Sequence, residues 1–135
     1  MDGWGRPGGA LLVLWGLGGD VQAADVLFQT ATFTGRGQYF GYALGPDQYL
    51  GARFENHEVW RVDAVGAHVF QATPGPDHLF VAIVPLSGPT DLPSGASLGT
   101  AVWWATFEGP LLSDDVRVPC GVMLEPGWWG LVFGG

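Results

Sequence analysis

The chain contains no lysine, and among 135 residues its five basic side chains are all arginines: Arg6, Arg36, Arg53, Arg61 and Arg117. Thirteen acids oppose them, for a formal net charge of −8. An acidic chain without a basic patch has no electrostatic footprint for nucleic acid or for anionic lipid, and both are excluded as partners. Cysteine is nearly absent too. Cys120 stands alone, so it makes no internal disulfide and contributes to no multi-cysteine zinc site; amid valines it reads as a small core residue. Charge of either sign is scarce at 13%, whereas hydrophobic residues reach 47%, enough for one packed domain and too many for a disordered tail.

Helical periodicity is also missing. After Ala24 no window places apolar residues at i, i+3, i+4 and i+7 for long enough to make a helix. Short β-rich runs recur instead between Gly, Pro and Asp: 26–34, 38–44, 48–55, 59–70, 78–86, 101–107, 115–124 and 128–133. About eight such runs predict an all-β domain, an antiparallel sandwich with a jelly-roll-like cadence.

Within the run 116–124 the pattern predicts Val116, Val118, Cys120, Val122 and Leu124 on one face and Arg117, Pro119, Gly121 and Met123 on the other. Pro119 cannot donate to a ladder and predicts an edge position or a bulge. Residues 79–84, LFVAIV, are apolar on both faces, as in a strand covered on both sides or at a subunit contact. TPGPD at 73–77 reads as a turn and 87–99 as a longer polar loop.

The N-terminus has a different grammar. MDGWGRPGG is weakly basic, ALLVLWGLGG is uncharged, and Val21 and Ala23 stand at −3 and −1 of a small-residue site. This order predicts a secretory signal peptide over 1–23 with cleavage before Ala24, hence an exported protein at the cell surface or outside it. The ten-residue apolar run spans about 15 Å as a helix, half of a membrane core, so no membrane insertion of the mature domain is expected. Removing 23 of 135 residues leaves a single domain of 112, residues 24–135, with four arginines against eleven acids and a net charge of −7.

Three segments taken together, YLGARFE…WRVDAVGAHVF, LFVAIVPLSGPTDLPSG and SDDVRVPCGVMLEPGWWGLVFGG, carry a family likeness. Their order and spacing over residues 48–135 resemble exported bacterial surface proteins that often end in a PEP-CTERM sorting segment. In that group an LGARF strand, an AIGGH-like strand, an LFGAIV-LSGP-DLP strand and loop, and LxPGWYALVFGSG follow one another. Here Gly66-Ala67-His68 replaces Gly-Gly-His and Trp129 replaces Tyr; no Pro-Glu-Pro motif, final apolar helix or basic tail follows Gly135. The resemblance implies the globular part of such a protein with its anchor missing, and an apolar run that ends the chain so abruptly reads as an interrupted one.

Chemistry is thin. His57 lies among acids in FENHEVW, on a turn between strands with no helical pairing to converge ligands; His68 falls within a strand and His78 at a strand start. LSGP and PSGAS lack the Gly-x-Ser-x-Gly elbow of a hydrolase. Asp114 and Asp115 are adjacent and project to opposite faces of a strand, Glu108 and Asp114 could pair across a cleft only as any two acids could, and SDD lacks the ligand alternation of a calcium loop. No cofactor, metal or catalysis is expected.

Tryptophan is what stands out. Trp103-Trp104 and Trp128-Trp129 are consecutive pairs on strands, so each pair sends one ring to each face. These four form the candidate contact surface. Two roles are open to it: a structural or adhesive surface of the envelope or extracellular matrix that self-associates, or a carbohydrate-binding module that stacks exposed rings on polysaccharide.

Overall fold

In the computed structural model the described residues are 12–17, 25–29, 42–44, 49–71, 78–110 and 114–135. They form nine strands and one 3-10 turn, an all-β fold. The strands are β1 (Leu12–Leu17), β2 (Asp25–Gln29), β3 (Tyr42–Leu44), β4 (Tyr49–Asn56), β5 (Trp60–Gln71), β6 (Leu79–Leu86), β7 (Trp103–Phe107), β8 (Asp114–Leu124) and β9 (Gly127–Gly134), with the 3-10 turn at Gly95–Thr100. Each of the eight β-rich runs overlaps one of the strands β2 to β9. The turn expected at 73–77 lies outside the described residues.

Two sheets result. One follows the order β4-β9-β6-β7; the other follows β2-β1-β5-β3, with β8 paired to β5 as well. All pairings are antiparallel except β3 with β5, which is parallel. The sheets share one core in a sandwich-like arrangement. Leu50, Ala52, Phe54, Val81, Ile83, Leu131 and Phe133 from the four-stranded sheet meet Phe28, Val62, Val65, Ala67, Val69, Val118 and Leu124 from the other. Ring contacts cross between them, with Phe28 and Phe54 centroids 4.9 Å apart and Phe54 stacked on Trp60 at 5.8 Å.

The two sheets are also continuous around a corner. β4 pairs with β9 from Tyr49–Gly134 to Asn56–Gly127, and β5 pairs with β8 starting at Trp60–Leu124. One long antiparallel ribbon therefore bends from sheet to sheet at residues 57–59 and 125–126. Asn56 holds that bend. Its side chain is 1% exposed, its Nδ2 donates to the carbonyls of Glu58, Glu125 and Leu124 at 2.8, 3.0 and 3.2 Å, and its Oδ1 accepts from the Gly127 N–H at 3.2 Å. Gly127 has φ of +152°, a conformation that side-chain-bearing residues resist.

β8 alternates as its sequence requires. Val118 and Leu124 are buried, Val116, Cys120 and Val122 partly buried on the same face, and Arg117, Pro119 and Met123 exposed on the other. Both expectations for Pro119 hold: β8 pairs only with β5 among the described strands, and next to Pro119 two residues, Cys120 and Gly121, stand opposite the single Asp63. The bulge at Asp63 shifts the parity of β5, so Val62 and Val65 both reach the core. β6 is central and covered on both faces, with Val81 and Ile83 inward and Ala82 and Val84 buried on the outer side.

Residues 12–17, read as part of a removable leader, form a strand that pairs with β2 on one side and β5 on the other. A short uncharged run that includes Val13, Leu14 and Trp15 suits a strand as well as a leader, because composition alone does not separate the two. Among the described residues no helix is long and apolar enough to cross a membrane.

Candidate functional site

The period of two along the four-stranded sheet sorts its aromatic residues. On β9, Trp129, Leu131 and Phe133 point into the core while Trp128, Gly130, Val132 and Gly134 point out; on β7, Trp103 packs inward and Trp104 outward. The four tryptophans thus divide two and two. Trp129 also donates from Nε1 to the Glu125 carbonyl at 3.0 Å, which ties it to the corner.

Register arranges the outer face in rows across the strands. Tyr49, Gly134, Phe80 and Thr106 form one row; Gly51, Val132, Ala82 and Trp104 the next; then Arg53, Gly130 and Val84; then Glu55, Trp128 and Leu86. Trp104 and Trp128 therefore sit two rows and two strands apart, about 16 Å at ordinary sheet spacings. They do not form one platform.

A loop separates them. Leu98 and Ala101, from the segment after β6, pack on Ala82, Val84 and Val132. Pro93 is buried so closely over β9 that a Cβ on Gly130 would lie 2.9 Å from it. The loop is fastened internally: Asp91 Oδ2 accepts from the Ser87 N–H at 2.9 Å and from its hydroxyl at 3.1 Å, and these bonds lower the Asp91 pKa. Arg53 Nη1 donates to the Asp91 carbonyl at 3.4 Å, and its guanidinium lies 5.9 Å from the centre of the Trp128 ring. Trp128 is thus half-buried beside a cation and the loop.

The opposite end of the face is open. Trp104 is 66% exposed and Tyr49 41%. Tyr49 meets Phe80 edge to face at 5.9 Å, and both rings close over Gly134, where a Cβ would lie 2.6–2.7 Å from them. Glycine at 134 makes this approach possible, and the two rings cover backbone that it leaves bare. Tyr49 and Phe80 were not among the sequence candidates. The alternation of β4 and β6 puts them on a face, but only the pairing of both strands with β9 brings them together.

Among the described residues the acid–base side chains assemble no second site. His57 is exposed on the β4–β5 turn, 3.5 Å from Glu55, and His78 is exposed ahead of β6. His68 lies within β5, as expected; it is 5% exposed, and its Nδ1 lies 3.2 Å from Asp115 Oδ1 across the β5–β8 ladder. The thiol of Cys120 sits on the inner face of β8, the face opposite to Asp115, so it does not join this pair. Burial pushes that thiol up to about 11. The serines of the loop bond to Asp91 or to one another, as Ser94 and Ser97 do at 3.3 Å. Asp114 and Asp115 face opposite sides of β8, as expected of neighbours on a strand, while Glu108 follows β7. Among the described residues no group of three His, Cys, Asp or Glu side chains could hold a metal ion.

The outer face is thus largely apolar, covered in part by the loop, with Trp104 its most exposed large side chain. Comparison with protein-family models, with curated proteins and with solved structures finds no match for this chain.

Proposed function

We propose that this chain is an exported, non-catalytic domain with a structural or adhesive role in the bacterial envelope or extracellular matrix, of the kind its likeness to the globular part of PEP-CTERM-type surface proteins implies. The observation that carries the reading is the open end of the four-stranded sheet. A tryptophan two-thirds exposed, diagonal to Phe80 on the neighbouring strand, is apolar surface that a contact with another molecule would bury. Export follows from the leader-like pattern of residues 1–23.

The test has two parts. N-terminal sequencing of material secreted by the host should begin at Ala24; Met1 would overturn export. Labelled protein should be retained on the host's envelope or matrix fraction and lose that retention in Trp104→Ala. Equal retention of both forms would overturn the role given to this face.

Carbohydrate binding is the second reading, favoured by the accessibility of Trp104 and Tyr49 on one apolar face. A glycan array separates the two. Specific binding weakened by roughly 1–3 kcal/mol in Trp104→Ala, the scale known for an aromatic ring stacked on a nucleic-acid base, would select the carbohydrate module. A blank array is the expected result and leaves adhesion through protein contacts.

A further inference from the structure

Sheet edges expose unpaired N–H and C=O groups, and proteins guard them with charge, proline or bulges. Most edges of this sandwich are guarded. β8 carries Asp114, Asp115, Arg117 and Pro119 and is broken by its bulge; β2 opens with Asp25; β4 carries Arg53 and Glu55. β7 is different. Its five residues, WWATF, include no charge, no proline and no glycine, and its ladder with β6 runs without a register shift from Leu79–Phe107 to Ile83–Trp103.

That edge is open to water. Leu79, Val81 and Ile83 on β6 are 2%, 0% and 0% exposed, yet the inward-facing Trp103, Ala105 and Phe107 beside them stay partly exposed. Among the described strands β7 pairs with β6 alone. Alternate residues of β7 therefore turn their backbone groups away from the sheet, and only another strand can satisfy them in series.

We propose that β7 pairs with β7 of a second copy, antiparallel about a twofold axis at Ala105, joining two four-stranded sheets into one of eight. The sequence complements itself in this register. Ala105 meets Ala105 of the second copy, Trp104 meets Thr106 on the outer face, and Trp103 meets Phe107 on the inner face. Charge permits it as well. In a chain of net charge −8 the nearest acid, Glu108, falls opposite Val102 of the second copy, so no carboxylate faces another. Trp104 then lies beside the axis on both copies and is partly covered by its neighbour. The pairing deepens the adhesive reading by naming the surface through which the chain meets itself.

Sedimentation equilibrium of the full chain over a range of concentrations should give twice the 14.3 kDa chain mass at the upper end. In Trp104→Lys/Thr106→Lys the register sets a lysine opposite a lysine on each side of the axis. This variant should sediment as a monomer while keeping the near-ultraviolet dichroism of a folded chain. The register is tested in a Cys120→Ala background. Trp104→Cys and Thr106→Cys chains, mixed and gently oxidised, should form the mixed disulfide in large excess over either like pair, because only the mixed pair is directly opposed. A wild type that stays monomeric, a lysine variant that dimerises as before, or equal yields of all three disulfides would each overturn the pairing. A monomer that still binds the matrix fraction overturns it and leaves the adhesive reading standing; a β7 dimer that binds no envelope or matrix fraction does the reverse.

Discussion

Asn56 is the residue on which the corner depends, and its replacement has a calculable result. Its two amide protons serve three carbonyls at 2.8–3.2 Å, and its carbonyl accepts the Gly127 N–H at 3.2 Å. Asn56→Ala leaves these groups without their partner. An unsatisfied buried group costs about 1–3 kcal/mol, but the carbonyls of Glu58 and Glu125 lie on turns that water can reach once the side chain is gone. The expected loss is therefore about 2–4 kcal/mol, a large share of the stability of a domain of this size. Asn56→Asp is the sharper probe. The shape and the acceptor for Gly127 are kept, but a carboxylate then faces three carbonyl oxygens.

Repulsion from those oxygens raises the pKa of the introduced carboxyl above its unfolded value of about 3.9. Between the two values the native state binds more protons than the unfolded one, so the variant loses stability as pH rises. Its deficit relative to wild type should be largest at neutral pH and should shrink on acidification towards the unfolded pKa. Taking the difference cancels the titration of the chain's own acids. Urea melts followed by tryptophan fluorescence, on wild type and both variants from pH 4.5 to 8, measure it. A loss below half a kcal/mol in Asn56→Ala, or a deficit in Asn56→Asp that grows as pH falls, would refute the account of the corner.

Leu124 is fully buried at the same corner, and Leu124→Ala should cost about 2–5 kcal/mol in the same melts. A change under half a kcal/mol would show that the inward face of β8 is misassigned. Cys120 titrates near 11 in the fold against an ordinary 9.0, so below pH 9 its alkylation by iodoacetamide should run about 100-fold slower than in the urea-unfolded chain. Because the folded thiol holds its proton longer, its contribution to stability is complete below pH 9 and is lost as pH rises towards 11. Equal alkylation rates in the two states would contradict the burial.

The strands were legible because their chemistry is local. Alternation along 116–124 and the two-sided apolarity of 79–84 each report what lies above and below one strand, and both match the sandwich. Pairing is not local. Nothing in WRVDAVGAHVF marks Asp63 as the bulge that brings both Val62 and Val65 to the core, since the bulge is defined by Cys120 and Gly121 on another strand. For the same reason the tryptophan pairs were correctly read as two-faced, whereas the meeting of Tyr49 and Phe80 over Gly134 was not foreseen; it depends on strands from three parts of the chain. Asn56 had a signal of a kind. An asparagine closing a strand before a turn is a residue that bonds backbone, but its four partners lie both 2 and about 70 residues away.

Residues 12–17 pose the remaining physical question, because the leader pattern and strand β1 make opposite demands on them. Among the described strands β2 joins the sheet only through β1, yet Phe28 on β2 is 6% exposed and meets Phe54 at 4.9 Å. If the chain is cleaved before Ala24, β1 is lost and β2 has two choices. It can move over to pair with β5 directly and keep Phe28 in the core, or it can detach and expose that ring. The cost of Phe28→Ala distinguishes them. In the full chain it should be about 3–5 kcal/mol, as for other buried Phe truncations. If β2 shifts, the chain 24–135 should show the same cost; if β2 detaches, the cost there should fall close to zero. We expect the shift, because the contact of Phe28 with Phe54 buries more apolar surface than the strand could recover in solvent. Near-zero cost in 24–135 alone would refute it and make β1 a required part of the sheet. Near-zero cost in both chains would remove β2 from the core altogether.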